Sequence, residues 1–162
     1  MELTDERLQQ MVQVVADTSA REYNLRHNAK ISVPIPISFD LELKEPKCAG
    51  RAFTQTVIDE RGRLKISRQW LQLNMTLLRD NVREFLNRVV IHEVAHLDQA
   101  WKDLKSGSQS ADHGYVWQAS MRAMNQPPVA KHQMDTTKAV AVYKEHKAKQ
   151  RAEAKKVKKV TA

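Results

Sequence analysis

His92, Glu93 and His96 occupy a His-Glu-x-x-His pattern. On an α-helix, residues four apart sit one turn apart on the same face, about 6 Å along the axis, so both imidazoles can reach one Zn²⁺. Glu93 starts beside them, in reach of a water held on the metal, where it would act as general base. With this chain's composition, such a match arises by chance about once in a hundred sequences. The bland reading is two surface histidines and a solvated glutamate, and the flanking sequence weighs against it.

The flanking residues predict the helix that the chemistry needs. Leu86, Val90, Val94, Leu97, Trp101 and Leu104 follow the three-and-four spacing of an apolar stripe. No Pro or Gly interrupts the run from Asp80 to Ser106, and Asp80 or Asn81 marks its start. One face is expected to be buried, leaving the His-Glu-His face to line a cleft.

Catalytic zinc takes three protein ligands and one water. The metzincin pattern places a histidine six residues after the second motif histidine, and Lys102 stands there. A thermolysin-like site takes a glutamate from a following helix, but none occurs between Glu93 and Glu145. Asp98, Asp103, Asp112, His113 and His132 remain. His113 is the best placed: it follows a flexible loop, opens a helix, and precedes Gly114, which allows close backbone approach. Asp112 reads as the cap of that helix, with orientation of His113 or His92 as the alternative.

The other elements are read from periodicity and punctuation. Residues 4–22 predict a helix capped by Thr4, with Leu8, Met11, Val12 and Val15 facing the core. Residues 31–43 alternate as a strand, and Pro34 and Pro36 confine it to an edge or to an extended arm before a shorter strand. Residues 49–58 and 64–74 predict an antiparallel hairpin turning at Asp59–Gly62, with a bulge or helical turn near Ser67–Trp70. The helix opened by His113 should end before Pro127-Pro128.

At 162 residues the chain reads as one domain, 1–135, followed by a basic Lys/Ala-rich tail, 136–162, partly helical or disordered. The net charge is +8, and the tail holds nine Lys or Arg against Glu145 and Glu153, a surplus of seven that leaves +1 for the other 135 residues. That asymmetry points to a polyanion such as DNA, contacted through Lys144, Lys147, Lys149, Arg151, Lys155, Lys156, Lys158 and Lys159. No stretch approaches the ~20 apolar residues of a membrane span. The acidic start Met1–Glu6 lacks a signal peptide's pattern, and the single Cys48 suits a reducing cytosol. A cytoplasmic, DNA-associated monomer without membrane contact is expected.

The stretch His92-Glu93-x-Ala95-His96-Leu97, with Trp101, His113-Gly114-x-x-Trp117 and Met121, resembles the SprT-like zinc metalloproteases, a family spanning bacterial SprT and eukaryotic Spartan. Upstream, Ala49-Gly50-x-Ala52 is similar to a family strand. Leu71-x-Leu73-Asn74 with Leu77-Leu78 is similar to its third strand and the turn into the metal helix. The resemblance covers about residues 37–134. It implies an α+β, zincin-like domain of the minigluzincin type. That domain has an N-terminal helix, a small antiparallel sheet of about three strands, the motif helix and further helices. It also implies one Zn²⁺ on His92, His96 and His113, with Glu93 as catalytic base. Bacterial members continue into a zinc ribbon with paired cysteines; here a basic tail follows instead.

The function expected is hydrolysis of peptide bonds in proteins bound or crosslinked to DNA, with Glu93 as general base on a zinc-bound water. Tyr115 and His132 are candidate donors to the tetrahedral oxyanion, each equally readable as packing. Two other readings stand beside it: a non-proteolytic, DNA-associated regulator that retains a zinc site, and a zinc hydrolase of small amides. Intact Glu93 disfavours the first, because a structural site has no use for a base.

Overall fold

The computed structural model describes residues 3–160, with side chains placed up to residue 157. Helix α1 (Asp5–His27) is capped by Thr4, whose Oγ1 accepts a hydrogen bond from the Arg7 N–H. Its Leu8, Val12, Ala16, Ala20 and Tyr23, spaced four and three apart, are buried. It runs a turn longer than the sequence predicts and stops at Asn28 in the left-handed conformation, φ 49°.

A three-stranded sheet follows, in the order β1-β3-β2. Strands β2 (Gly50–Ile58) and β3 (Leu64–Leu73) form the expected antiparallel hairpin. Its register slips between Gln55 and Thr56, which leaves Ser67 as a bulge whose Oγ donates to the Gln55 carbonyl. Strand β1 (Ile37–Ser38) pairs parallel to β3, so the sheet is mixed and not purely antiparallel.

The strand expected over 31–43 thus shrinks to two residues, and a 3₁₀ turn occupies Leu41–Leu43. The cause lies in α1. Asp17 Oδ1 accepts the Ile35 N–H at 2.9 Å, Gln13 Nε2 donates to the Ile35 carbonyl, and Asn24 takes both backbone groups of Ile31. Helix side chains satisfy the backbone that a sheet ladder would otherwise pair. The alternating residues still point inward: Ile31, Ile35 and Leu41 are buried.

The predicted motif helix is three segments after a separate short one. Helix α2 (Met75–Asp80) starts at buried Asn74, whose Oδ1 caps Leu77 N–H and whose Nδ2 donates to the Pro46 and Cys48 carbonyls. After Asn81, α3 (Val82–Glu84) passes through a π-helical turn (Phe85–Val89) into α4 (Val90–Ser106). The π turn inserts one residue into the helical phase, and Phe85, Val89 and Val90 all reach the core. Gln69 of β3 locks α4 to the sheet, donating to the Leu97 carbonyl and accepting from Trp101 Nε1.

Helix α5 (Tyr115–Ala123) packs on α4, and α6 (Thr137–Val160) closes the chain. The tail is therefore a helix, and it docks more firmly than its composition suggests. Ala139 is fully buried, Lys138 pairs with Asp80 at 2.9 Å, and the first turns pack against the 3₁₀ turn and α2. Among the described residues no helix is long and apolar enough to cross a membrane.

Removing Asp17 should expose how much the arm depends on α1. Asp17→Ala orphans the buried Ile35 N–H and should lower the unfolding free energy by about 2 kcal/mol in urea titrations. A loss under about 0.5 kcal/mol would show that the arm is held by its apolar residues alone.

Candidate metal centre

Helix α4 presents His92 and His96 one turn apart, with Glu93 between them on the side facing β2. Gly107, at φ 70°, ends the helix and reverses the chain. The loop that returns to His113 is pinned and not free. Ser110 donates from its N–H and Oγ to Asp103, at 3.1 and 2.7 Å. Gln99 Nε2 donates to Ser110 Oγ at 2.8 Å and to the Ala111 carbonyl at 3.0 Å. His113 precedes α5, whose cap is Gly114; a Cβ there would sit 3.0 Å from Ala111.

The three rings converge through Nε2. His92–His96, His96–His113 and His113–His92 stand 3.3, 3.2 and 3.0 Å apart. Nitrogens about 2.0–2.1 Å from one tetrahedral ion are separated by about 3.3–3.4 Å, close to this triangle. Trp117, almost fully buried, packs its indole against all three rings and donates Nε1–H to the His92 carbonyl.

The protons of the rings are assigned by their outer partners. His96 Nδ1 lies 2.9 Å from Gln99 Oε1. The Gln99 amide is oriented by the Ala111 carbonyl, which only accepts, so Oε1 faces His96 and Nδ1 must carry the proton. That leaves a bare lone pair on His96 Nε2. Burial, then the neighbouring rings His96 and His113, push His92 down to about 3. Burial also lowers His96, against the pull of Gln99 and Asp112. A set of three inward-facing imidazoles at this spacing is one that a divalent cation fits.

Glu93 is buried, 4.0 Å by Oε1 from His92 Nε2, and takes a hydrogen bond from the Ala52 backbone. Burial first, then Asp112, pushes its carboxyl up to about 8, while Arg51 works the other way. A dication in the triangle would act against that burial.

A model described as the SprT-like family matches residues 16–152, most of the chain and the first turns of α6 included. The chain belongs to the SprT-like family. Comparison with curated proteins and with solved structures gave no match.

In this SprT-like chain the histidine triangle and Glu93 lie in a cleft of about 1220 Å³ between the β2 edge and residues 126–132. The other sequence candidates are scattered. Tyr115 is 81 % exposed and does not line the cleft. Trp117 points at the rings, and a residue two positions earlier is rotated about 200° away on the helix. His132 does line the cleft, but its Nε2 donates to the Lys47 carbonyl at 3.0 Å and its Nδ1 accepts the Met134 N–H. Asp112 caps nothing, because α5 starts at Tyr115 without a side-chain cap. It stands instead 3.6 Å from His96 Nδ1 and 3.7 Å from His113 Nδ1.

Of the tail residues, Lys144 lines the cleft, Lys149 pairs with Glu145, and Lys147 lies over the Tyr143 ring. Arg151, Lys155 and Lys156 are exposed, and the side chains of Lys158 and Lys159 lie outside the described residues. Sequence reasoning missed Gln99, whose signal was its position three residues after His96 on the same helix. It also missed why residue 50 is glycine: a Cβ there would meet Glu93 Cγ at 2.8 Å, Glu93 Oε1 at 2.9 Å and Leu73 Cδ2 at 2.9 Å.

Gly50→Ala should therefore displace Glu93 or Leu73 and cost about 1–3 kcal/mol of stability, read by urea unfolding. An unchanged midpoint would show that β2 moves away freely.

Proposed function

We propose that the chain is a zinc-dependent peptidase acting on proteins held on DNA. The observation that carries this reading is the triangle of three Nε2 atoms, 3.0 to 3.3 Å on an edge, with buried Glu93 beside it on the cleft wall. A zinc ion held by His92, His96 and His113 supplies a Lewis acid that polarises a carbonyl and acidifies water towards a pKa of ~7. Glu93 is placed to take a proton from water at its carboxylate and to pass it to the leaving amine nitrogen. The room that Gly50 leaves for this side chain argues against a relic site without catalysis.

The size of the cleft favours polymers over small amides. At about 1220 Å³ it exceeds the ~300–1,000 Å³ typical of small-molecule pockets. Strand β2 forms one wall and is a sheet edge, so an extended peptide can add alongside it as a further strand. Neither Tyr115 nor the hydrogen-bonded His132 offers a free donor into the cleft, which leaves Tyr143, on the α6 wall, as the better-placed hydroxyl.

Support for DNA comes from α6. Lys144, Lys147, Arg151 and Lys155 are spaced three and four apart and share one helical face. Such a stripe, on a helix about 36 Å long, matches a phosphate backbone by charge and not by base.

Glu93→Gln should keep zinc and fold while turnover of a protein substrate drops about 10²–10⁴-fold. Proteolysis at the wild-type rate in that variant would remove Glu93 from the mechanism. Replacing Lys147, Arg151 and Lys155 together with Gln should reduce the slope of log affinity against log salt by about 2–3 for duplex DNA. An unchanged slope would assign the DNA contact elsewhere.

A further inference from the structure

The geometry points to Gln99 as the residue that presets the metal centre, holding the proton of one ligand and the loop of another with a single buried amide. Its Oε1 accepts His96 Nδ1–H at 2.9 Å. Its Nε2 donates to Ser110 Oγ at 2.8 Å and to the Ala111 carbonyl at 3.0 Å, three and two residues before His113. Every hydrogen-bonding group of the side chain that has a partner is spent on these two tasks, and the residue is 6 % exposed.

The two tasks address different difficulties. A neutral imidazole places its proton on either nitrogen, and only the Nδ1–H form of His96 offers Nε2 to a metal. Gln99 selects that form. His113, by contrast, is seventeen residues from His96 and reaches the triangle only because the intervening loop is folded back on α4. Asp103, one turn further along the same face, holds Ser110 from its other side, at 2.7 and 3.1 Å. Gln99 hydrogen-bonds both a ligand and the next ligand's loop, so it couples the second and third histidines, with Asp112 of that loop 3.6 Å from the same His96 Nδ1. It acts through them and is a positioning residue.

The inference rests on the three-histidine reading, and zinc affinity tests the two separately. Affinity is measured on the full chain by competition with a chromogenic chelator, beside apo-protein unfolding and the visible spectrum of the Co²⁺ form. Gln99→Leu removes both tasks at similar volume and should weaken zinc binding about 10–100-fold. Gln99→Glu keeps an acceptor for His96 but repels the Ala111 carbonyl. It should fall between wild type and Gln99→Leu, with a Co²⁺ spectrum altered towards fewer histidine ligands. His113→Ala should make Gln99→Leu cost less than it does in the wild-type background, because one of the two tasks is then idle.

Wild-type protein that binds no zinc overturns both readings. Wild type that binds, with Gln99→Leu folded and within twofold of its affinity, overturns the role of Gln99 alone. Should Gln99→Leu fail to fold, Gln99→Glu decides: affinity equal to wild type rejects the loop task, and a loss of several-fold supports it.

Discussion

Three imidazole Nε2 atoms are held 3.0 to 3.3 Å from one another, a spacing that one divalent cation fits. Beside them Glu93 is buried, and a buried carboxylate resists ionisation. The rest of the molecule supplies the rigidity that this arrangement needs. Trp117 backs all three rings, Gln99 and Asp103 fold the loop of His113 onto α4, and Gln69 fixes α4 to β3 through the Leu97 carbonyl. Each of these ties ends on α4 or on the rings it carries.

The opposite side of α4 is held by a different chemistry. Asp98 is buried and receives hydrogen bonds from Tyr23 of α1 and Ser120 of α5, at 2.8 and 2.6 Å. Lys102 closes the group, 2.7 Å from Asp98 and within bonding distance of both hydroxyls. Lys102 stands where a metzincin places its third histidine. Here it joins three helices, and the third ring of the triangle is His113, from across the loop. Burying the Asp98 carboxylate costs desolvation, which the two hydroxyls and the half-buried Lys102 offset by completing its hydrogen bonds.

The placement of Glu93 also depends on what is missing from β2. Without a side chain at Gly50, the strand edge comes close enough for Glu93 to lie against it and to accept from the Ala52 backbone. The same strand edge walls the cleft, so Glu93, carried by α4, and the open edge of β2 face the same space. Helix α6 forms another wall through Val140, Tyr143 and Lys144, and its basic stripe continues outward from that wall.

The local pattern alone determined the motif pair, the helix under it, the hairpin with an irregularity near Ser67–Trp70, and the concentration of charge after residue 136. Each depends on residues within a few positions of one another, where spacing and turn chemistry decide. Elimination among the downstream residues singled out His113, yet its loop was misread as flexible, because Gln99 and Asp103 act on it only once the chain has folded back. The segment 31–43 kept only a short edge strand after an extended arm for the same reason: its pattern is sound, but Gln13, Asp17 and Asn24 on another helix took the arm's hydrogen bonds. Docking of α6 turned on Ala139, a residue too small to register as apolar patterning, which is buried only because the 3₁₀ turn and α2 meet it. Partners distant in sequence decide where a backbone group or a small side chain finds its contact, and only the tertiary structure brings those partners together.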